Sequence, residues 1–281
     1  MKLSANEFRN SQQKRLTLLG MSGVGKTHLA KLLSKQDKYF HYSGDYRIGA
    51  EYLNSAILDN IVTRIKQDSW LEGLLDNKSI SIQNNISFDN LSSVSAFLGK
   101  VGNPELGGLQ IDEFIRRQAL HRQAEIQTML DVPKFIEKSN QQGVHNFIND
   151  AGGSLCELDD NNVYQTLSEH TVILYIRASK NNEKTLIERA QSHPKPLYYQ
   201  AEFLQQQLET YLSENRFSYV AQIDPDAFVR WIFPHLLEHR KPKYEEIAQQ
   251  YGYTIDSEDL YRCRSATEVL DLITGAMNQC P

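Results

Sequence analysis

The chain is poor in the features that mark special classes of protein. Its 281 residues include three cysteines, Cys156, Cys263 and Cys280. None forms a CxxC pair, their spacing builds no zinc framework, and the odd number argues against a disulfide scaffold. A reducing, intracellular compartment is the expected setting. No stretch approaches the ~18 consecutive apolar residues of a membrane span. The polar start, MKLSANEFRNSQQKR, lacks the apolar region of a signal peptide. A cytoplasmic location with no membrane partner is therefore expected. Positive charge is in deficit, with 30 Lys and Arg against 35 Asp and Glu and a net charge of −5. No motif interleaves basic with aromatic residues, so nucleic acid is not an expected partner. Repeats and low-complexity tracts are missing as well. What remains is ordinary for a globular chain: 40% hydrophobic and 23% charged residues. The length allows one large α/β domain or a core domain with a sizeable insertion.

One segment carries specific chemistry. Residues Arg15 to Leu19 (RLTLL) read as a short buried strand, and His28 to Leu33 has apolar residues at helical spacing. Between them Gly20-Met21-Ser22-Gly23-Val24-Gly25-Lys26-Thr27 matches GxxxxGK[ST]. Strand, glycine loop and helix is the context in which this string forms a phosphate-binding P-loop. Backbone N–H groups must turn inward toward phosphate oxygens, which glycine permits, and the helix N-terminus adds partial positive charge. Gly20, Ser22, Gly23, Val24, Gly25, Lys26 and Thr27 are the expected nucleotide-binding residues. Lys26 reaches the outer phosphates, and the Thr27 hydroxyl holds Mg²⁺. ATP with Mg²⁺ is the expected cofactor pair. His28 reads as a helix-start histidine.

The rest of the chain alternates. Strands are expected at 39–43, 144–149, 171–176 and 217–223, with helices at about 183–191, 201–215 and 226–239. Alternation of this kind implies a mainly parallel sheet covered on both faces. Residues 12–50 and 141–240 would form the nucleotide-binding core. Residues 51–140 read as a mostly helical insertion covering the acceptor, and 241–281 as a small helical extension. Within the insertion, 111–130 is an amphipathic helix with Ile111, Phe114, Ile115, Ala119, Ile126 and Met129 suggesting its buried face.

Several residues stand where α/β sheets bind ligands, past the carboxyl ends of strands. Asp45 follows the second strand and can orient or deprotonate an acceptor hydroxyl; capping of a local turn is the plainer alternative. Asp150 ends the third strand and is a candidate Mg²⁺ ligand. Gly152 and Gly153 let backbone approach a ligand closely. His235 and His239 match HxxEH, but no metalloprotease context accompanies them, and a solvated helix end is the expected reading.

The order of these landmarks resembles the P-loop small-molecule kinases, particularly shikimate kinase and gluconate kinase, over residues 12–50 and roughly 110–225. The string NDAGGSLCELD also resembles an uncharacterised bacterial ATPase-like family of that class. The resemblance implies a five-stranded three-layer sandwich with sheet order 2-3-1-4-5. It implies an acid after strand two, met by Asp45, and a glycine pair closing strand three, met by Gly152-Gly153. It further implies an arginine helix before that strand, met by Arg116, Arg117 and Arg122, and a basic lid over 188–197 carrying Arg189 and Lys195. Helical geometry allows at most two of the three arginines to face one pocket. Arg47, Arg116 and Arg122 are thus candidate acceptor contacts beside Asp45, Gly152 and Gly153. Lys26, Asp45, Arg189 and Lys195 are the candidate catalytic set. The segment Gly44-Asp45-Tyr46-Arg47 holds one acid where that family has two, and Lys195 stands where arginine is usual. The expected function is phosphoryl transfer from MgATP to a small hydroxyl-bearing acceptor. The alternative is an ATPase or GTPase switch acting on a protein partner.

Overall fold

The structure is a computed structural model that describes residues 2–279. Cys280 lies outside them. Five segments are extended: β1 (Arg15–Leu19), β2 (Tyr39–Ser43), β3 (Asn146–Asp150), β4 (Val172–Arg177) and β5 (Gly252–Asp256). In β4 the run VILYI is buried throughout rather than alternately, the pattern of a strand covered on both faces. All neighbours pair in parallel, in the order β2-β3-β1-β4-β5. That is the expected order, and every strand delivers its carboxyl end to the same sheet edge.

The fifth strand is not where the sequence pattern put it. Residues 217–223 fold back as a short 3-10 turn, Val220–Gln222. Their N–H groups bond the Gln222 side chain at Ser218 and Tyr219, and Ile223 turns inward to full burial. The place beside β4 is taken by β5, whose Gly252 to Asp256 pair with Ile173 to Arg177. The segment 241–281 therefore contributes a strand to the sheet.

In chain order the helices are α1 (Ala5–Asn10), α2 (Lys26–Ser34), α3 (Gly44–Arg47), α4 (Asn54–Ile65), α5 (Ser69–Asp76), α6 (Ser92–Leu98), α7 (Ile111–Leu130), α8 (Val132–Gln141), α9 (Asn161–His170), α10 (Lys180–Ser192), α11 (Ala201–Asn215), α12 (Pro225–Tyr251), α13 (Ser257–Arg262) and α14 (Ala266–Gln279). Helix α3 runs on into a π-helical turn, Ile48–Tyr52. One group, α1, α2 and α14, packs together on the sheet; a second, α8, α9 and α12, covers its other side. No helix among the described residues is long and apolar enough to cross a membrane.

Helix α12 departs from expectation in length. Asp224 caps it by accepting from the Asp226 and Ala227 N–H groups, and Pro225 occupies its first turn, where the missing N–H costs nothing. The helix expected over about 226–239 then runs on through Pro234 and Pro242 to a length of 27 residues. His235 packs at a tilt against Trp231 at 4.6 Å and His239 stacks on Phe203 at 4.4 Å, so each ring packs against an aromatic neighbour on its own side. Helix α7 departs in its buried face. Phe114, Ile126 and Met129 are buried as expected, but Ile115 is 48% exposed and Ala119 is also outside. The buried positions are instead Arg117, Gln118, His121, Glu125 and Thr128. Their polar groups are tolerated because most have partners: Arg117 donates to the Phe97 carbonyl, and Gln118 bonds Leu197 and Tyr199 backbone.

Apolar side chains collect in three clusters. The largest flanks the sheet, a second joins α7, α11 and α12, and a third joins the π-helical turn, α4 and α6. A cleft opens where they meet, at the carboxyl edge of the sheet.

Candidate active site

The glycine loop leaves β1 with Gly20 at φ 140°, Gly23 at 95° and Gly25 at 113°, values that residues with a Cβ rarely adopt. Helix α2 begins at Lys26, so its N-terminus and the loop face the same point. Lys26 is 9% exposed as a residue, and its ammonium donates to the Gly20 carbonyl at 2.8 Å and the Met21 carbonyl at 3.2 Å. Burial lowers its pKa, against the pull of Asp150 and Asp45. A buried cation held by two carbonyls leaves most of its charge uncompensated, and an anion at the loop would answer it.

Two carboxylates stand opposite. Register sets Ser43 beside Asp150, which brings Asp45, two residues on, to the same corner. Thr27 Oγ1 points to Asp150 Oδ2 at 3.5 Å, and His41 Nε2 lies 3.7 Å from that oxygen. Asp45 is open to the cleft, yet protein surrounds it on most sides. That desolvation raises its pKa; Lys26 opposes the shift and Asp150 adds to it. The donor set of Thr27 and Asp150 suits a hard cation. Among the described residues no group of three or more His, Cys, Asp or Glu could hold a metal by itself. A cation here would draw its other ligands from phosphate and water, as Mg²⁺ does.

The cleft measures about 780 Å³. Met21 and Ser22 of the glycine loop, Asp45, Gly153, Arg189 and Lys195 all line it. Arg189 crosses from α10 to the loop, with Nη1 at 2.9 Å from the point a Cβ on Gly23 would occupy. The segment after α10 is pinned at its far end. Gln118 accepts from the Tyr199 N–H at 2.9 Å, and Arg240 donates to the Tyr198 carbonyl at 2.9 Å. Lys195 itself is exposed at the mouth.

The other candidate arginines are not brought to the cleft. Arg116 pairs with Glu113 on the surface, at 2.7 and 2.9 Å. Arg117 is engaged by Glu113 and stacks over Phe97, and Arg122 donates to the Leu158 carbonyl. Arg47 reaches Asp131 at 3.0 Å and Glu51 at 3.2 Å. Gly152 is buried between two acids: a Cβ there would meet Glu125 Oε1 at 2.7 Å and Asp45 Oδ1 at 3.1 Å.

Sequence reasoning missed the polar groups behind this floor. Glu125 is fully buried; Ser154 donates to its Oε2, and Oε1 has no partner. Burial, with a contribution from Asp45, pushes its carboxyl up to about 8, against the Ser154 hydrogen bond. His121 stacks on Tyr198, and burial together with Arg240 pushes its imidazole down to about 4, so it is neutral. Arg240 of α12 lines the cleft and is held by Glu157 Oε2 through Nε at 2.8 Å. One signal was available: Arg240 falls on the stripe Phe233, Leu237, Tyr244, and a charge on an apolar stripe marks a buried ion pair. Glu125 offered no such signal, because its neighbours on the buried face are polar too.

A parallel 2-3-1-4-5 sheet with a glycine loop after β1 and helices on both sides is a P-loop kinase-like fold. No family model and no curated protein matches the chain. Solved structures with a similar course are shikimate kinases. That of Bacteroides thetaiotaomicron is 13% identical, with a TM-score of 0.45 over 95% of this chain and 99% of that one. That of Aquifex aeolicus is 13% identical, with a TM-score of 0.36 over 94% and 96%. That of Acinetobacter baumannii, solved with shikimate, is 15% identical, with a TM-score of 0.38 over 96% and 97%. At such identities and scores the assignment of the site rests on its own geometry.

Proposed function

We propose that the chain moves the γ-phosphate of MgATP to a hydroxyl group of a small acceptor. The observation that carries this reading is convergence: the glycine loop, Asp45, Arg189 and Lys195 border a single cleft. In this reading the loop N–H groups and Lys26 bind and orient the phosphates. Thr27 and Asp150 hold Mg²⁺, which supplies charge neutralisation on the phosphates when bound. Asp45 accepts a hydrogen bond from the acceptor hydroxyl and takes up its proton as the new bond forms. The raised pKa of Asp45 suits a base. The expected lid 188–197 divides: Arg189 lies on α10 and already reaches the glycine loop, whereas Lys195 brings its charge to the transferring group when 193–197 closes, a movement that also excludes water. Acceptor contact falls to Asp45 and Gly153, since Gly152 is buried behind Asp45 and Arg47, Arg116 and Arg122 are engaged elsewhere. A cleft of this size at the sheet edge, bordered by the glycine loop and Asp45, supports a kinase over a switch, which would present a broad face to a protein partner.

The test is incubation with labelled ATP and a metabolite extract. A labelled small-molecule product should form, and should fail to form with Lys26→Ala. ADP release that no extract fraction stimulates would sink the proposal.

A further inference from the structure

The cleft has two chemically different ends. Ser22 belongs to the glycine loop, Arg189 reaches it and Asp45 faces Lys26, while Lys195 stands at the mouth. Away from the loop the walls are mainly apolar. Leu91 and, on α6, Val94 and Leu98 line one side next to Ile48, with the single hydroxyl of Ser95 among them, and α12 contributes Val229 and Phe233. These walls are built into the fold. A Cβ on Gly49 would lie 2.4 Å from Val94 Cγ2, so the glycine is what lets α6 close against the π-helical turn. The segment after α6 is tied to the start of α12: Lys100 pairs with Asp226, and the Asn103 N–H donates to the Ile223 carbonyl at 2.8 Å. The two walls are thereby held at a set distance. His121, Ser154 and Arg240 supply the polar groups of the floor, the Arg240 guanidinium being already paired with Glu157.

We infer that the acceptor is amphiphilic: its hydroxyl lies at Asp45, and an aliphatic or aromatic body lies between α6 and α12. The position of the hydroxyl rests on the phosphotransferase reading, whereas the apolar body rests on the walls alone. A compound polar all over would set hydroxyls against Val94, Leu98, Val229 and Phe233, where they find no partners. An apolar body releases water from those walls, and the polar groups at one end fix its direction. The wall belongs to residues 91–98, within the insertion. The insertion thus sets specificity, with Val94 and Leu98 as the residues that read the acceptor.

The probes are straight-chain vicinal diols from propanediol to octanediol, titrated by calorimetry in the presence of Mg²⁺ and a non-hydrolysable ATP analogue. Affinity should rise about three- to fourfold for each added methylene. Leu98→Asn should flatten that rise while nucleotide affinity holds, at some cost in melting temperature because Leu98 is largely buried. Val94→Thr, which keeps the side-chain shape, should weaken octanediol more than propanediol, and it decides the matter if Leu98→Asn fails to fold. Absence of octanediol binding, affinity independent of chain length, or an unchanged rise in a folded variant would each overturn the inference. The two readings separate with MgATP itself. Binding that rises with chain length, without any phosphorylated diol, keeps the apolar body and removes the phosphotransferase.

Discussion

Replacing Glu125 by glutamine should remove a pH dependence from the stability of the fold. The carboxyl is fully buried, and that burial pushes it up to about 8 from the 4.5 of an exposed glutamate. Below pH ~4.5 it carries a proton in both states and contributes no slope. Between there and about 8 the unfolded chain releases the proton and the folded chain keeps it. Stability must then fall as pH rises, by roughly 1.4 kcal/mol per unit, for a total on the order of a few kcal/mol. Above that window both forms are ionised and the slope ends. The groups that face the carboxyl are His121 on its own helix, Ser154, Asp45, Glu157 and Arg240, and none of them is altered in Glu125→Gln. Urea unfolding of both proteins at half-unit steps from pH 5 to 8.5 gives the difference directly. The variant should gain on the parent steadily as pH rises and level off near the top. A flat difference would show Glu125 ionised in the folded chain, and a difference of opposite sign would refute the reasoning outright.

Four further outcomes are expected. Lys26→Ala should abolish MgATP binding by calorimetry with the melting temperature retained. Asp45→Asn should leave ATP affinity nearly constant and lower acceptor-dependent transfer by roughly 10²–10⁴-fold; a structural aspartate would lower the melting temperature and leave the rate. Arg240→Met strands Glu157 in the interior and should cost about 3–5 kcal/mol in urea unfolding, with much of the loss restored by adding Glu157→Gln. Residues 193–197 should gain hydrogen-exchange protection only when nucleotide and acceptor are both present, whereas Tyr198 and Tyr199, already tied to Arg240 and Gln118, should change little.

The glycine loop was legible in the sequence because its chemistry fixes residue types at fixed spacing. Asp45 and Asp150 were legible because parallel strands send their carboxyl ends to one edge. The fifth strand was not. Phe217 to Ile223 has the aromatic and β-branched content of a strand, yet a strand also needs a partner, and only tertiary structure assigns the edge of β4. Its true occupant, GYTID, is a short segment that follows a helix of 27 residues, inside the stretch read as a helical extension. The interior face of α7 was hidden for a related reason. Periodicity separates apolar from polar residues, and here Gln118, His121 and Glu125 are covered by neighbouring elements. The direction of the arginines depends on which carboxylate or carbonyl each one finds, and spacing along a helix does not carry that.

The late position of β5 has a consequence for how the chain is made. At roughly 5–20 residues per second, β5 leaves the ribosome on the order of ten seconds after β4. Through that interval the apolar run of β4 has β1 on one side and an open row of N–H and C=O groups on the other. An exposed edge of this kind pairs readily with other chains. Helix α12 emerges in the same interval and can lie across the β4 face, but it cannot satisfy the edge. Nascent chains that stall within 226–251 should therefore be a species that chaperones hold. Deletions reaching 252–256 should show themselves first as lost solubility, before any effect on turnover can be measured.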